Sequence, residues 1–224
     1  MLCSLLESVI DGFLGCHYDA EPMTFDADST QTARRRILEA GKQLFAQHGF
    51  EQTPTAQIAR EAGTSESQLV RYYKSKAGLL EAIFNESWGS LNQAIQQVVV
   101  GAADTHEALL GVLQTVFAAF AKDLDLAYLL LFEGRRIRGG TSEIVLSQGF
   151  RDFENLLVIL IKRGKKDGTF RTELDDLAIA SAILGATEAM TRDRVVAQRN
   201  GEPQPFSDEA IVAVFESLLR GLKA

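Results

Sequence analysis

The amino-acid sequence predicts an all-α protein, a three-helix helix-turn-helix domain followed by a bundle of six or seven helices. Three observations predict it. Apolar residues recur at helical spacing along the chain, and no useful length alternates β-branched with polar residues. Only 4 prolines interrupt 224 residues. Residues 53–80, TPTAQIAREAGTSESQLVRYYKSKAGLL, hold two short helices parted by one glycine, then the start of a third.

Each element has its own justification. Ala33, Ile37, Ala40, Leu44 and Phe45 phase a first helix that ends near His48-Gly49. Thr53 is placed to cap the second, with Pro54 at its first position, where a missing N–H costs nothing. Ile58, Ala59 and Ala62 give that helix a short apolar face. Gly63 stops it and permits the positive φ that turns the chain. Ser65 and Gln68 form a capping box, so the next helix starts almost at once. Leu69 and Tyr73 share one face of it, and Ser67, Val70, Arg71 and Lys74 occupy the opposite one. Further helices are expected at 76–100, 105–122, 124–137, 142–164, 175–199 and 207–222. That makes nine from residue 30 onward.

Charge divides the chain as the helices do. Net charge is −7. Residues 30–77 nevertheless carry eight Lys/Arg against four Asp/Glu, residues 1–29 are purely acidic, and residues 78–224 have an acidic excess. A basic module on an acidic body is the footprint of local phosphate contact. The boundaries follow: 1–29 an N-terminal extension of unknown role, 30–77 the helix-turn-helix domain, 78–224 the body. The extension has two readings, a true start at Met23 or an arm that docks on the body. Cys3 and Cys16 both lie in it, so residues 30–224 hold no disulfide or cysteine metal centre. No window approaches the ~20 apolar residues of a membrane span, and a cytoplasmic protein with no membrane partner is expected.

The helix-turn-helix strongly resembles the DNA-binding domain of the tetracycline-repressor (TetR) family. The matching residues are Gly49-Phe50, Thr53, Ile58-Ala59, Ala62-Gly63, Ser65, Leu69, Tyr73, Ser75-Lys76 and Leu79-Leu80. Their spacing is kept without a gap. Two positions depart from the family: Val70 stands where it usually has tyrosine, and Ser67 where it often has glycine. The resemblance implies a homodimeric regulator of transcription, a repressor on a palindromic operator, released by a small lipophilic effector in the body.

Roles follow from residue chemistry. The second helix of such a motif presents its N-terminal part to base edges. Arg71 suits guanine and Gln68 suits adenine, the latter competing with its capping role. Tyr72, Thr53 and Lys76 are assigned to phosphate, and one or two of Arg34, Arg35 and Arg36 to phosphate or the minor groove. Ser65 and Ser67 complete the DNA-facing set, and Glu66 is expected to face a base amine or solvent. Dimerisation is assigned to the last two helices, through Ile179, Ile183, Ala186, Val214, Phe215 and Leu218. There the competing reading is burial within one subunit.

Effector binding is assigned to Phe84, Trp88, Phe117, Phe120, Tyr128, Phe132 and Phe153, with Arg135 orienting the ligand. For most of these residues plain core is the alternative. Leu131–Arg136 (LFEGRR), Ile161–Arg171 and the ILGATEA helix also resemble family members that answer to acyl-CoA or fatty acids. No metal, cofactor or enzyme is expected, since no nucleophile elbow, P-loop, GxGxxG or metal spacing occurs. The rival readings are an enzyme, or a helical adaptor that has lost DNA binding.

Overall fold

The computed structural model describes residues 27–133 and 147–223, and among them the fold is all-α. Nine helical elements follow in order: α1 (Ala27–His48), α2 (Thr55–Glu61), α3 (Glu66–Tyr73), α4 (Lys76–Gly101), α5 (Thr105–Lys122), α6 (Leu124–Tyr128), α7 (Gln148–Lys166), α8 (Asp176–Arg199) and α9 (Asp208–Arg220). A π-helical turn, Leu129–Glu133, continues α6. The N-terminal extension, except its last three residues in α1, lies outside the described residues, as does the segment holding Arg135 and Arg136.

The helix-turn-helix forms for the reasons its residues give, with two corrections. Gly63 turns the chain at φ +60°, and Ser65 caps α3 by accepting the Gln68 N–H. The Gln68 side chain, however, bonds the Thr64 hydroxyl, so the capping box is completed from Thr64 rather than from the Ser65 N–H. The cap of α2 is Pro54, not Thr53, with extended backbone and no side-chain capping bond.

One core runs through both domains. Ile37 and Phe45 of α1 meet Ile58, Leu69 and the start of α4 at Leu79 and Ile83. Gly41 allows this crossing, because a Cβ there would lie 2.7 Å from Leu79 Cδ2. In the body α4 packs on α5 and α7, and α8 packs on α7, α5 and α6. Gly149 lets α7 approach α4, since its Cβ would fall 2.3 Å from that of Trp88. The carbonyl of Gly149 accepts from Asn92 Nδ2 at 3.2 Å.

Candidate DNA-facing surface and effector cavity

The exposed face of α3 carries Ser67, Val70 and Arg71, as the sequence predicts, whereas Lys74, also exposed, is the C-cap just beyond the helix at φ +68°. Leu69 and Tyr73 anchor the other face in the core. The Tyr73 hydroxyl donates to the Arg34 carbonyl at 2.8 Å, locking α3 to α1. Burial pushes that phenol's pKa up, and the hydrogen bond and charge at Arg34 oppose the shift. Arg71 lies over the Tyr72 ring at 5.6 Å and stays exposed. Ser65 and Ser67 share a 2.8 Å hydrogen bond. Glu66 is engaged by the Thr55 hydroxyl at 2.7 Å, which joins the first turns of α2 and α3.

Two residues assigned to phosphate do other work. Thr53 is fully buried, and its hydroxyl donates to the carbonyls of Gly49 at 2.8 Å and Leu44 at 3.2 Å. The contact ties the start of α2 back to the last turn of α1 and the residue that follows it. Lys76 donates to the carbonyls of Phe50 at 2.9 Å and Glu51 at 3.3 Å, and its ammonium lies 4.6 Å from the Phe50 ring centre. Both residues therefore hold the α1–α2 turn closed. Gln68 is half-buried with its oxygen occupied, whereas Arg34 is exposed. Val70, 49% exposed, is the apolar group that the sequence-based set missed. Such a group suits a thymine methyl.

In the body, a cavity of about 440 Å³ is lined from α4, α5, the π turn, α7 and α8. Phe84, Trp88, Phe120 and Phe153, four of the residues assigned to an effector, line it. Phe117 does not; it packs 5.6 Å from Phe215. Tyr128 and Phe132 stack on each other outside it, 5.0 Å apart. Arg135 is outside the described residues. Sequence reasoning missed Glu154, Glu188, Ser181 and Thr187, all of which line the cavity. Burial, and then the negative charge of Glu188, raise the pKa of Glu154.

The assigned dimer residues separate. Ile179, Ile183 and Phe215 are buried within the subunit, so their assignment to an inter-subunit seam is corrected to core. Val214 and Leu218 are 44% and 48% exposed, and Ala186 is half-buried. With Leu177, Ala178, Ala182 and Gly185 they leave an apolar surface across α8 and α9.

Two contacts tie the domains together. Lys42 of α1 pairs with Asp123 at 2.9 Å, and Asp123 also caps α6. Burial alone would lower the Lys42 pKa, but Asp123 and Glu39 outweigh it and hold the ammonium above its usual range. Arg199, the last residue of α8, donates to the Ala46 carbonyl of α1 at 2.8 Å. Its guanidinium lies 3.6 Å from the Tyr128 ring centre and 3.5 Å from Asp125.

A helix-turn-helix with an exposed, partly basic second helix is thus joined without a linker to a bundle that holds a cavity of ligand size. Residues 37–83 match the family of bacterial regulatory proteins described as the tetR family. The fatty acid metabolism regulator protein of Bacillus subtilis is 24% identical over 157 residues, 68% of this chain and 78% of that protein. The fatty acid degradation regulator FadR from Bacillus halodurans superposes with a TM-score of 0.74 at 26% identity, covering 84% of this chain and 95% of that one. FadR from Bacillus subtilis, in complex with stearoyl-CoA, gives 0.70 at 23% identity, covering 83% and 96%.

Proposed function

We propose that the protein is a homodimeric transcriptional regulator, a repressor that leaves its palindromic operator when a small lipophilic effector enters the body. The observation that carries this reading is the direct path from cavity to α1. Leu130 and Leu131 of the π turn line the cavity. Tyr128, the last residue of α6 and the one directly before that turn, is the ring on which Arg199 rests while it holds the end of α1. An effector that displaces the π turn acts through Tyr128 on the seating of the helix-turn-helix. The effector shifts the equilibrium only by its differential affinity for the two states.

Arg71, Ser67, Lys74 and Val70 read the major groove, and Arg34 and the flank at Tyr72 meet the backbone. Two copies meet through the exposed face of α8 and α9, so that Val214 and Leu218 leave water. Their half-sites then lie roughly 34–36 Å apart or a multiple of that. The walls of the cavity suit a hydrocarbon body, and the likeness to a regulator crystallised with stearoyl-CoA supports that part of an effector. Selection of bound fragments from random duplex DNA tests the reading. A recovered palindrome, bound with steep salt dependence, is expected. Failure to enrich any sequence overturns it and leaves the adaptor reading.

A further inference from the structure

The cavity combines two kinds of wall. Trp88 is flanked by Phe153 in a stacked arrangement and by Phe150 edge-on, each with ring centres 5.5 Å from its own. Aromatic faces present negative charge density to a ligand. Glu154 and Glu188 line the same cavity from α7 and α8. Glu188 is itself engaged in a further interaction. Glu154 is partly buried, beside a second carboxylate, in a mainly apolar cavity whose other polar groups are the hydroxyls of Ser147, Ser181 and Thr187. A carboxylate in such a place is costly until a proton or a cation meets it.

Resting on the reading of this cavity as the effector site, we propose that it selects an amphiphilic organic cation. The ligand has an apolar body that fills the aromatic and aliphatic wall, and one ammonium or amidinium group held at Glu154. Cation–π attraction and a charge-assisted contact then act on the same group. A free fatty carboxylate meets two like charges at that place and is disfavoured. Glu154 is therefore the specificity-determining residue for the polar end, while the hydrocarbon wall accepts many bodies.

Trp88 is the one tryptophan of the chain, so its emission reports occupancy of the cavity. The probes are decyltrimethylammonium, decanol and decanoate, each titrated below its micelle concentration. The apolar body is constant and only the head group changes. The cation is expected to bind about tenfold more tightly than the alcohol, and decanoate most weakly. Glu154→Gln should bring cation and alcohol to within about threefold of each other. Glu202→Gln removes the same charge from an exposed site outside the cavity and should leave the order unchanged. Decanoate binding as tightly as the cation overturns the proposal. So does an equal effect of the two substitutions, which would trace the preference to the acidic chain as a whole. Should Glu154→Gln fail to fold, judged by its circular dichroism, the order of the three probes on the unaltered protein decides. Silence of Trp88 toward all three is a different failure, because it removes the effector-site reading itself.

Discussion

Arg199→Ala tests the link between body and DNA-binding domain. The side chain donates a charged hydrogen bond to the Ala46 carbonyl at 2.8 Å and stacks 3.6 Å from the Tyr128 ring centre. Its ion pair with Asp125, at 3.5 Å, is half-exposed. A hydrogen bond to a charged donor contributes about 1.5–3 kcal/mol, and the stacked cation about 0.5–1 kcal/mol where water reaches it. The exposed pair contributes at most about 1 kcal/mol. The side chain is 35% exposed, which favours the low end of each range. Truncation should thus cost about 2 kcal/mol. Urea unfolding followed by circular dichroism measures the total, and amide exchange shows where it falls. Protection should be lost first at the end of α1, around Ala46, and the centre of α5 should keep its own. Arg199→Lys should recover little, because an ammonium cannot both stack flat on Tyr128 and reach the carbonyl. A change below about 0.5 kcal/mol, with exchange at α1 unaltered, would show that the domains are held together elsewhere.

Gly78→Ala should destabilise the chain by about 1–3 kcal/mol and abolish operator binding, because the new Cβ would lie 2.0 Å from the Tyr73 carbonyl oxygen where α3 passes into α4; thermal unfolding and an operator shift assay check both effects. Arg71→Ala should lower specific affinity by about 1–3 kcal/mol with helicity intact, and anisotropy on a selected palindrome against a scrambled duplex measures the discrimination lost. Leu218→Glu should give folded monomers by sedimentation, since the side chain is exposed within one subunit. Phe215→Ala should instead cost about 3–5 kcal/mol of subunit stability, because it empties a core position against Phe117.

Element order and turn chemistry were legible in the sequence because they are local. Gly63, Ser65 and the Leu69/Tyr73 pair each act within one turn of where they stand, and α4, α5, α8 and α9 begin and end within a residue or two of their expected limits. Destinations of apolar residues were less legible. Phe215 and Leu218 both belong to one apolar helix, and burial in a subunit asks for the same residue types as burial between subunits. Only the packing separates them. Glu154 carried a signal that could have been used. It lies four residues after Phe150 and three before Leu157, on the inward stripe of an amphipathic helix, where a carboxylate is out of place. Arg199 carried none, because its partners stand 153 and 74 residues away.

The corrections at Thr53 and Lys76 have a common cause, and it alters how the basic domain is understood. The turn from α1 to α2 contains Gly49 at φ +78° and takes the carbonyls of Gly49, Phe50 and Glu51 out of the helical ladder. A buried carbonyl without a partner is costly, so donors must come from elsewhere in the domain. Thr53 supplies its hydroxyl to Gly49, shared with Leu44 in the last turn of α1, and Lys76 supplies its ammonium to Phe50 and Glu51. Lys42 is likewise spent on Glu39 and Asp123. Of the eight Lys/Arg in residues 30–77, two thus serve the fold or the domain junction before DNA is present. Net charge therefore overstates the phosphate contacts the domain can make. The salt slope of DNA binding offers a direct measure. If Lys76 were a phosphate clamp, Lys76→Ala would reduce that slope by about one and leave stability alone. With its protons on Phe50 and Glu51, the same substitution should loosen the turn, lower the unfolding midpoint and leave the slope of the remaining folded protein unchanged. A slope reduced by one at unaltered stability would restore the phosphate role and refute the assignment to the turn.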